Sequence, residues 1–195
     1  SDVYKRQLEW CSEIGLKKVF WNKEDPVNYE KFIQSAARFD VVFTSDNRSI
    51  PRYIEDCGHE NIFPMPFAAQ PVIHNPVRNR LPQYSICFAG SWYIREHGDR
   101  KRQTNLLVDA SKDNGLHIYD RFYGTSDLNR FPEEYSDYVQ GSIPYDECCM
   151  AYRAYKLFLN VNSVMNSDTM FSRRVFEILA SVSYTHLRAH ETTEH

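Results

Sequence analysis

The tract MFSRRVFEILAS, residues 170–181, sets Arg173 and Arg174 four and three positions ahead of Glu177. On a helix both arginines are surface neighbours of that glutamate. Phe171, Val175, Ile178 and Leu179 form an apolar stripe, and helix geometry turns Glu177 roughly 150° away from its centre. A charge cluster at a helix start does chemistry only if its face lines a cleft. The plain alternative is an exposed salt-bridged face, worth a few tenths of a kcal/mol. Two further tracts carry similar potential. In AGSWYIREHGDRKR, Gly90 and Ser91 stand at a predicted strand end where backbone can approach a phosphate, with Arg95, Arg100 and Lys101 close behind. The alternative there is a tight turn before a solvated basic helix. The tract is not a Walker A loop, and the Rossmann dinucleotide fingerprint is absent. WNKEDP offers Glu24 and Asp25 in a loop fixed by Pro26, as a general base or as partners for sugar hydroxyls. An Asp-Pro turn with exposed acids is the plainer reading.

These tracts sit where an alternating series of elements would position them. KKVFW (17–21), DVVFT (40–44) and NIFPM read as strands. NYEKFIQSAARF has helical spacing, and SIPRYIEDCG suits a helix capped by Ser49, with Pro51 in its first turn and Gly58 past its end. A proline-rich stretch follows, read as an interdomain linker over 66–84. The pattern then restarts with SICFAG (85–90), a helix ending near Gly115, LHIYD, a loop over 122–136, and YVQG. DECCMAYRAY is a helix capped by Asp146, KLFLNVN (156–162) a strand, and MFSRRVFEILA the last helix. Such alternation predicts parallel sheets covered on both faces, in two Rossmann-like domains. Ligands in such sheets bind beyond the carboxyl ends of the strands, beside helix N-termini. All three tracts fall there.

Composition narrows the partners. With 42% hydrophobic and 25% charged residues the chain is globular, and a net charge of −3 gives no basic field for nucleic acid. No apolar run approaches transmembrane length. The 13 tyrosines suit clefts that bind rings or sugars. Five cysteines without paired spacing argue against a disulfide framework and for a reducing, cytoplasmic compartment. His59, His74, His97 and His117 are scattered, so no metal is expected.

The two ends read differently. The oligonucleotide GATGTGTATAAGAGACAG translates as Asp2 to Gln7, and its reverse complement, read from the third base, gives Val182 to His186 and opens a leucine codon for Leu187. Residues 1–7 and 182–195 therefore resemble translated transposase-adapter sequence, show no clean helix or strand period, and are set aside from fold reasoning. About 174 residues remain, enough for one domain or parts of two. The expectation is an internal fragment, inactive by itself, with 8–65 from one domain and 85–181 from a second.

The tract VQGSIPYDECCMAYRAYKLFLNVNSV, followed by FEILAS, resembles the donor half of GT-B glycosyltransferases: a glycine after a strand, a short helix ending in Tyr, a strand, then a helix with Glu-x-x-Ala-Ser. FWNKEDP, FDVVFTSD, FPMPFAAQPVIHNP, CFAGSWY, IYDRFY, FLNVNSV and DTMFSRRVFEILA together resemble the CgeB-type spore-maturation proteins, a glycosyltransferase-like family, over nearly all of 17–181. The resemblance implies two Rossmann-like domains of a GT-B enzyme, both truncated. It implies transfer from a nucleotide-sugar donor, without metal or other cofactor, to a glycan or protein acceptor. Gly90 and Ser91 match the loop facing the donor diphosphate, with Arg95 nearby. Gly141 matches the glycine near the nucleobase, the backbone of Met170, Phe171, Ser172 and Arg173 matches the phosphate-receiving helix start, and Glu177 matches the ribose-binding glutamate. Arg173 or Arg174 would stabilise the leaving diphosphate, and Glu24 and Asp25 become acceptor-side candidates. Typical retaining members carry a second glutamate eight positions before the first; here Thr169 stands there, with Asp168 as a possible replacement. A nucleotide-sugar epimerase on the same fold and a catalytically silent saccharide-binding or spore-surface protein are the rival readings.

Overall fold

Strands separated by helices must return on the same side, and the apolar runs of this chain pair accordingly, every one in parallel. The computed structural model describes residues 2–77, 81–92, 98–126, 129–164, 166–181 and 184–185. It divides into two units, Ser1–Phe67 with Val164–Phe171 (unit 1) and Ala68–Ser163 with Ser172–His195 (unit 2). The division falls after Phe67, inside the predicted 66–84 linker. Residues 164–171, read from sequence as part of 85–181, group instead with unit 1.

Unit 1 holds a three-stranded sheet of β1 (Val19–Asn22), β2 (Val41–Thr44) and β3 (Ile62–Pro64) in the order β1-β2-β3. Three helices accompany it: α1 (Asp2–Glu13), α2 (Tyr29–Ala36) and α3 (Ile50–Cys57). Tyr29 and Ala36 of α2 and Tyr53 of α3 bury against Val42 and Ile62, forming one apolar core. Gly58 ends α3 in the left-handed conformation, at φ 71°. A side chain is strained there, so the helix stops where the sequence predicts. Ser49 does not cap α3. It sits in a 3-10 turn, Asn47–Ser49, with helical backbone angles, and its hydroxyl donates to Asp46 instead. Residues 2–7, read as lacking a helical period, lie in the largely exposed α1, whose Tyr4 ring is 6.4 Å from Phe39.

Unit 2 holds β4 (Tyr84–Gly90), β5 (Leu116–Asp120), β6 (Val139–Gly141), β7 (Tyr155–Leu159) and β8 (Tyr184–Thr185), in the order β6-β5-β4-β7-β8. Side chains alternate along a strand, and β4 feeds two cores in this way. Ile86 and Phe88 pack with Val108, Leu116, Ile118 and Leu159, while Cys87 and Ala89 pack with Tyr152, Phe158 and Ile178. Both faces are covered, as a parallel sheet requires. The covering helices are α4 (Gly98–Ser111), α5 (Cys148–Ala154) and α6 (Arg173–Ala180). Two expectations are corrected. Asp146 lies within the 3-10 turn Tyr145–Glu147 and makes no cap bond to α5. The last helix begins at Arg173 rather than Met170, since Ser172 is extended, at φ −61° and ψ 142°.

Segment 68–77 is irregular in backbone yet tied to unit 2. The Arg153 guanidinium donates to Ile73 O (2.6 Å), Asn75 O (3.1 Å) and Asn75 Oδ1 (3.2 Å). Of the terminal segment 182–195, Tyr184 and Thr185 pair with Leu157 and Phe158.

Candidate functional site

Glu177 is the centre of a cluster in unit 2. The helix that exposes Arg173 and Leu179 buries Val175, Glu177 and Ile178, so the carboxylate is only 2% exposed. The exposed salt-bridged face considered from sequence is thereby excluded. The predicted stripe is also narrower, because Leu179 faces solvent and Phe171 precedes the helix. A buried carboxylate must be hydrogen-bonded, and this one is. Tyr145 donates its hydroxyl to Oε1 (2.9 Å), Tyr152 to Oε2 (3.0 Å), and Arg173 Nε reaches Oε1 at 2.8 Å. His74 Nε2 stands 3.9 Å from Oε1, while its Nδ1 accepts from the Gln70 amide at 3.3 Å. The two tyrosine hydroxyls are held above their ordinary pKa, first by burial, so they remain donors. Arg173 also lies 4.8 Å above the Tyr145 ring. Tyr145 and Arg173 are thus reachable from solvent, whereas Tyr152 and His74 flank the carboxylate from within.

The neighbouring end of β4 supplies the second part. Arg174 extends its guanidinium to the Ala89 carbonyl, one residue before Gly90. An added Cβ at Gly90 would meet the Phe88 ring at 3.0 and 3.2 Å and Arg174 Nη1 at 3.8 Å, so a larger residue crowds that ring. Ser91 is buried, and its hydroxyl has no partner among the described residues, which is uncommon for a buried hydroxyl. At the start of α6, Ser172 N donates to Asn162 Oδ1 (3.1 Å) and Ser172 Oγ to Asn160 Oδ1 (3.0 Å). Gly141 ends β6 at φ 112°, a conformation that favours glycine. Arg95 lies outside the described residues.

The remaining sequence candidates belong to unit 1. Asp25 is not an exposed turn acid but fully buried. It accepts from Asn22 Nδ2 (2.7 Å), Thr44 Oγ1 (2.6 Å) and the Tyr53 hydroxyl (3.0 and 3.2 Å). Burial pushes its carboxyl up to about 6, the Thr44 and Tyr53 bonds pull it down, and nearby Asp46 pushes it up further. Glu24 alone of the pair is exposed, and it accepts from Asn28 Nδ2 at 3.2 Å. Asp168 meets Arg48 at 3.5 Å on the surface. The Thr169 hydroxyl donates to Ser45 O and accepts from Asn47 N, both at 2.9 Å. Met170 N donates to Ser167 Oγ at 2.9 Å.

Sequence reading missed Tyr145, Tyr152 and His74 around Glu177, and Asn22, Thr44, Asp46 and Tyr53 around Asp25. For Tyr152 a signal existed, a tyrosine on the short helix preceding a strand. The others come from separate elements. Among the described residues no group of three His, Cys, Asp or Glu side chains could hold a metal ion, and the cysteines are free. No described helix is long and apolar enough to cross a membrane.

Fold and clusters together define a Rossmann-like α/β protein with polar residues gathered at strand ends. Comparison with family models and with curated proteins finds no match.

Proposed function

We propose that this chain is the nucleotide-sugar-binding part of a GT-B glycosyltransferase. The observation that carries the reading is the Glu177 cluster, a buried carboxylate with solvent-reachable partners near the carboxyl end of β4. Glu177 takes the donor ribose hydroxyls, which replace Tyr145 and Arg173 on Oε1. Gly90, the Ser91 hydroxyl and the first amides of α6 receive the diphosphate, where the helix dipole favours negative charge. Arg173, freed from Glu177, meets the leaving diphosphate, and electrostatic stabilisation there lowers the barrier to departure. Arg174 acts differently, as the bond that fixes α6 to the end of β4. Glu24, exposed in unit 1, is the acceptor-side candidate that stays available; Asp25 is committed to its buried network. The acceptor is a glycan or a protein, and the compartment is cytoplasmic.

One observation favours a silent binder as the second reading. Thr169, where retaining relatives of this pattern carry a glutamate, spends its hydroxyl on the backbone of Ser45 and Asn47. Titration calorimetry with UDP, GDP, ADP and dTDP tests the main reading. A nucleoside diphosphate should bind the wild type and bind Glu177→Gln at least tenfold more weakly. Equal affinity in both removes Glu177 from the site, and no binding of any of them at millimolar concentration rejects the nucleotide reading. Release of free nucleotide from a bound sugar donor separates transfer from silent binding.

A further inference from the structure

Unit 1 contains a cavity of about 370 Å³ beyond the ends of β1 and β2. One wall is formed by Tyr29, Asp46 and Ser49, the other by Asn166 and Ser167. The second wall comes from far along the chain, since Ser167 and Thr169 lie 121 to 124 positions from their partners. The Ser167 hydroxyl donates to Asp46 Oδ1 at 2.6 Å and accepts the amides of Thr169 and Met170 at 3.3 and 2.9 Å. Thr169 bridges Ser45 O and Asn47 N. Among the described residues, no side chain of 166–171 enters the apolar core of unit 1. The receiving turn is anchored independently, because Ser49 holds the other Asp46 oxygen at 2.7 Å and Thr44 Oγ1 accepts from the Asp46 amide at 3.1 Å.

We propose that residues 166–171 form a detachable strap that covers Ser49 and the Asp46 carboxylate on one side of this cavity, held by the Ser167 and Thr169 hydroxyls on the Ser45–Asp46–Asn47 turn. A segment with no side chain in the apolar core opens at lower cost than the sheet it rests on. The strap opens as one piece because Ser167 links its own turn to Asp46. Opening uncovers Ser49 and the Asp46 carboxylate and displaces Asp168, Thr169 and Met170 together. The strap therefore decides whether Asp46 and Ser49 reach solvent.

Amide hydrogen exchange of the full chain tests this, comparing Asn47, whose amide donates to Thr169 Oγ1, with Val42, whose amide bonds Asn61 O inside the sheet. Asn47 should exchange on the order of a hundredfold faster than Val42. Thr169→Val and Ser167→Ala should each speed it roughly tenfold further, leaving Val42 unchanged. Thr169→Ser keeps the hydroxyl and should behave as wild type. Access is read separately, by maleimide labelling of Ser49→Cys against Cys57 as internal reference. That rate should rise roughly tenfold in the Thr169→Val background while Cys57 keeps its own. An Asn47 amide as slow as Val42, or variants that accelerate Val42 equally, would show a segment that opens only with the fold. Labelling of Ser49→Cys that ignores strap opening would overturn the gate.

Discussion

Asp25 gives the sharpest physical test, because its charge and its partners pull in opposite directions. Its carboxyl is raised from an ordinary 3.8 to about 6, chiefly by burial. The folded state therefore holds this proton more tightly than the unfolded chain. The stability this contributes is fully present below about pH 4 and is lost as pH rises through about 6. The difference amounts to about 3 kcal/mol at the limits, and to about 2–3 kcal/mol between pH 4 and pH 8. The facing groups are Asn22 from β1, Thr44 and Asp46 from the end of β2, and Tyr53 from α3; Asp46 is the charged one among them. Asp25→Asn keeps the shape and removes the charge. Its oxygen can replace Oδ1 for Asn22, and its amide can donate to Thr44 and Tyr53, whose hydroxyls rotate to accept. Urea unfolding of wild type and Asp25→Asn from pH 4 to pH 8 isolates this one group, since all other carboxylates are shared. The variant should gain about 2–3 kcal/mol on the wild type as pH rises across that range. A difference that stays flat, or that grows toward acid, would refute the assignment of a raised pKa to Asp25. Asp25→Ala should instead destabilise at every pH by about 1–3 kcal/mol, because the donors of Asn22, Thr44 and Tyr53 lose their acceptor in a buried place.

In unit 2, Glu177→Ala should weaken nucleoside diphosphate binding by about 1–3 kcal/mol, read by calorimetry, the range for a lost hydrogen bond to a charged group. Gly90→Ala should destabilise by about 1–3 kcal/mol in urea unfolding, since the new methyl lands 3.0 Å from the buried Phe88 ring and forces it to shift within its core. Arg153→Ala should leave the sheet intact but speed protease cleavage within 70–77, because three acceptors on Ile73 and Asn75 lose their shared donor. Unchanged cleavage would mean that the segment is held by something other than this clamp.

What was legible in the sequence was whatever one element settles by itself. LHIYD becomes β5 over those same residues, and Gly58 and Gly115 end their helical segments because each sits at positive φ. The buried side of α6 was only half legible. A helix projected alone puts Glu177 opposite the apolar stripe, and Leu179 within it. In the folded chain α6 lies against α5 and the 68–77 segment, so Tyr152 and His74 enclose Glu177 while Leu179 is left outside. No helical period contains the position of those partners. The same limit explains the two caps that fail. Ser49 and Asp146 have the right residue type, but 3-10 turns precede α3 and α5 and turn both side chains away from cap geometry. Asp25 is the extreme case. WNKEDP reads as an exposed turn until Thr44 arrives from 19 positions away and Tyr53 from 28. Three donors converging from three elements are what make a buried carboxylate affordable, and convergence is a property of the fold alone. Position was therefore readable where one element supplies its own geometry, as at Gly58 and Gly115. It was unreadable where charge is tolerated only because distant hydroxyls meet it.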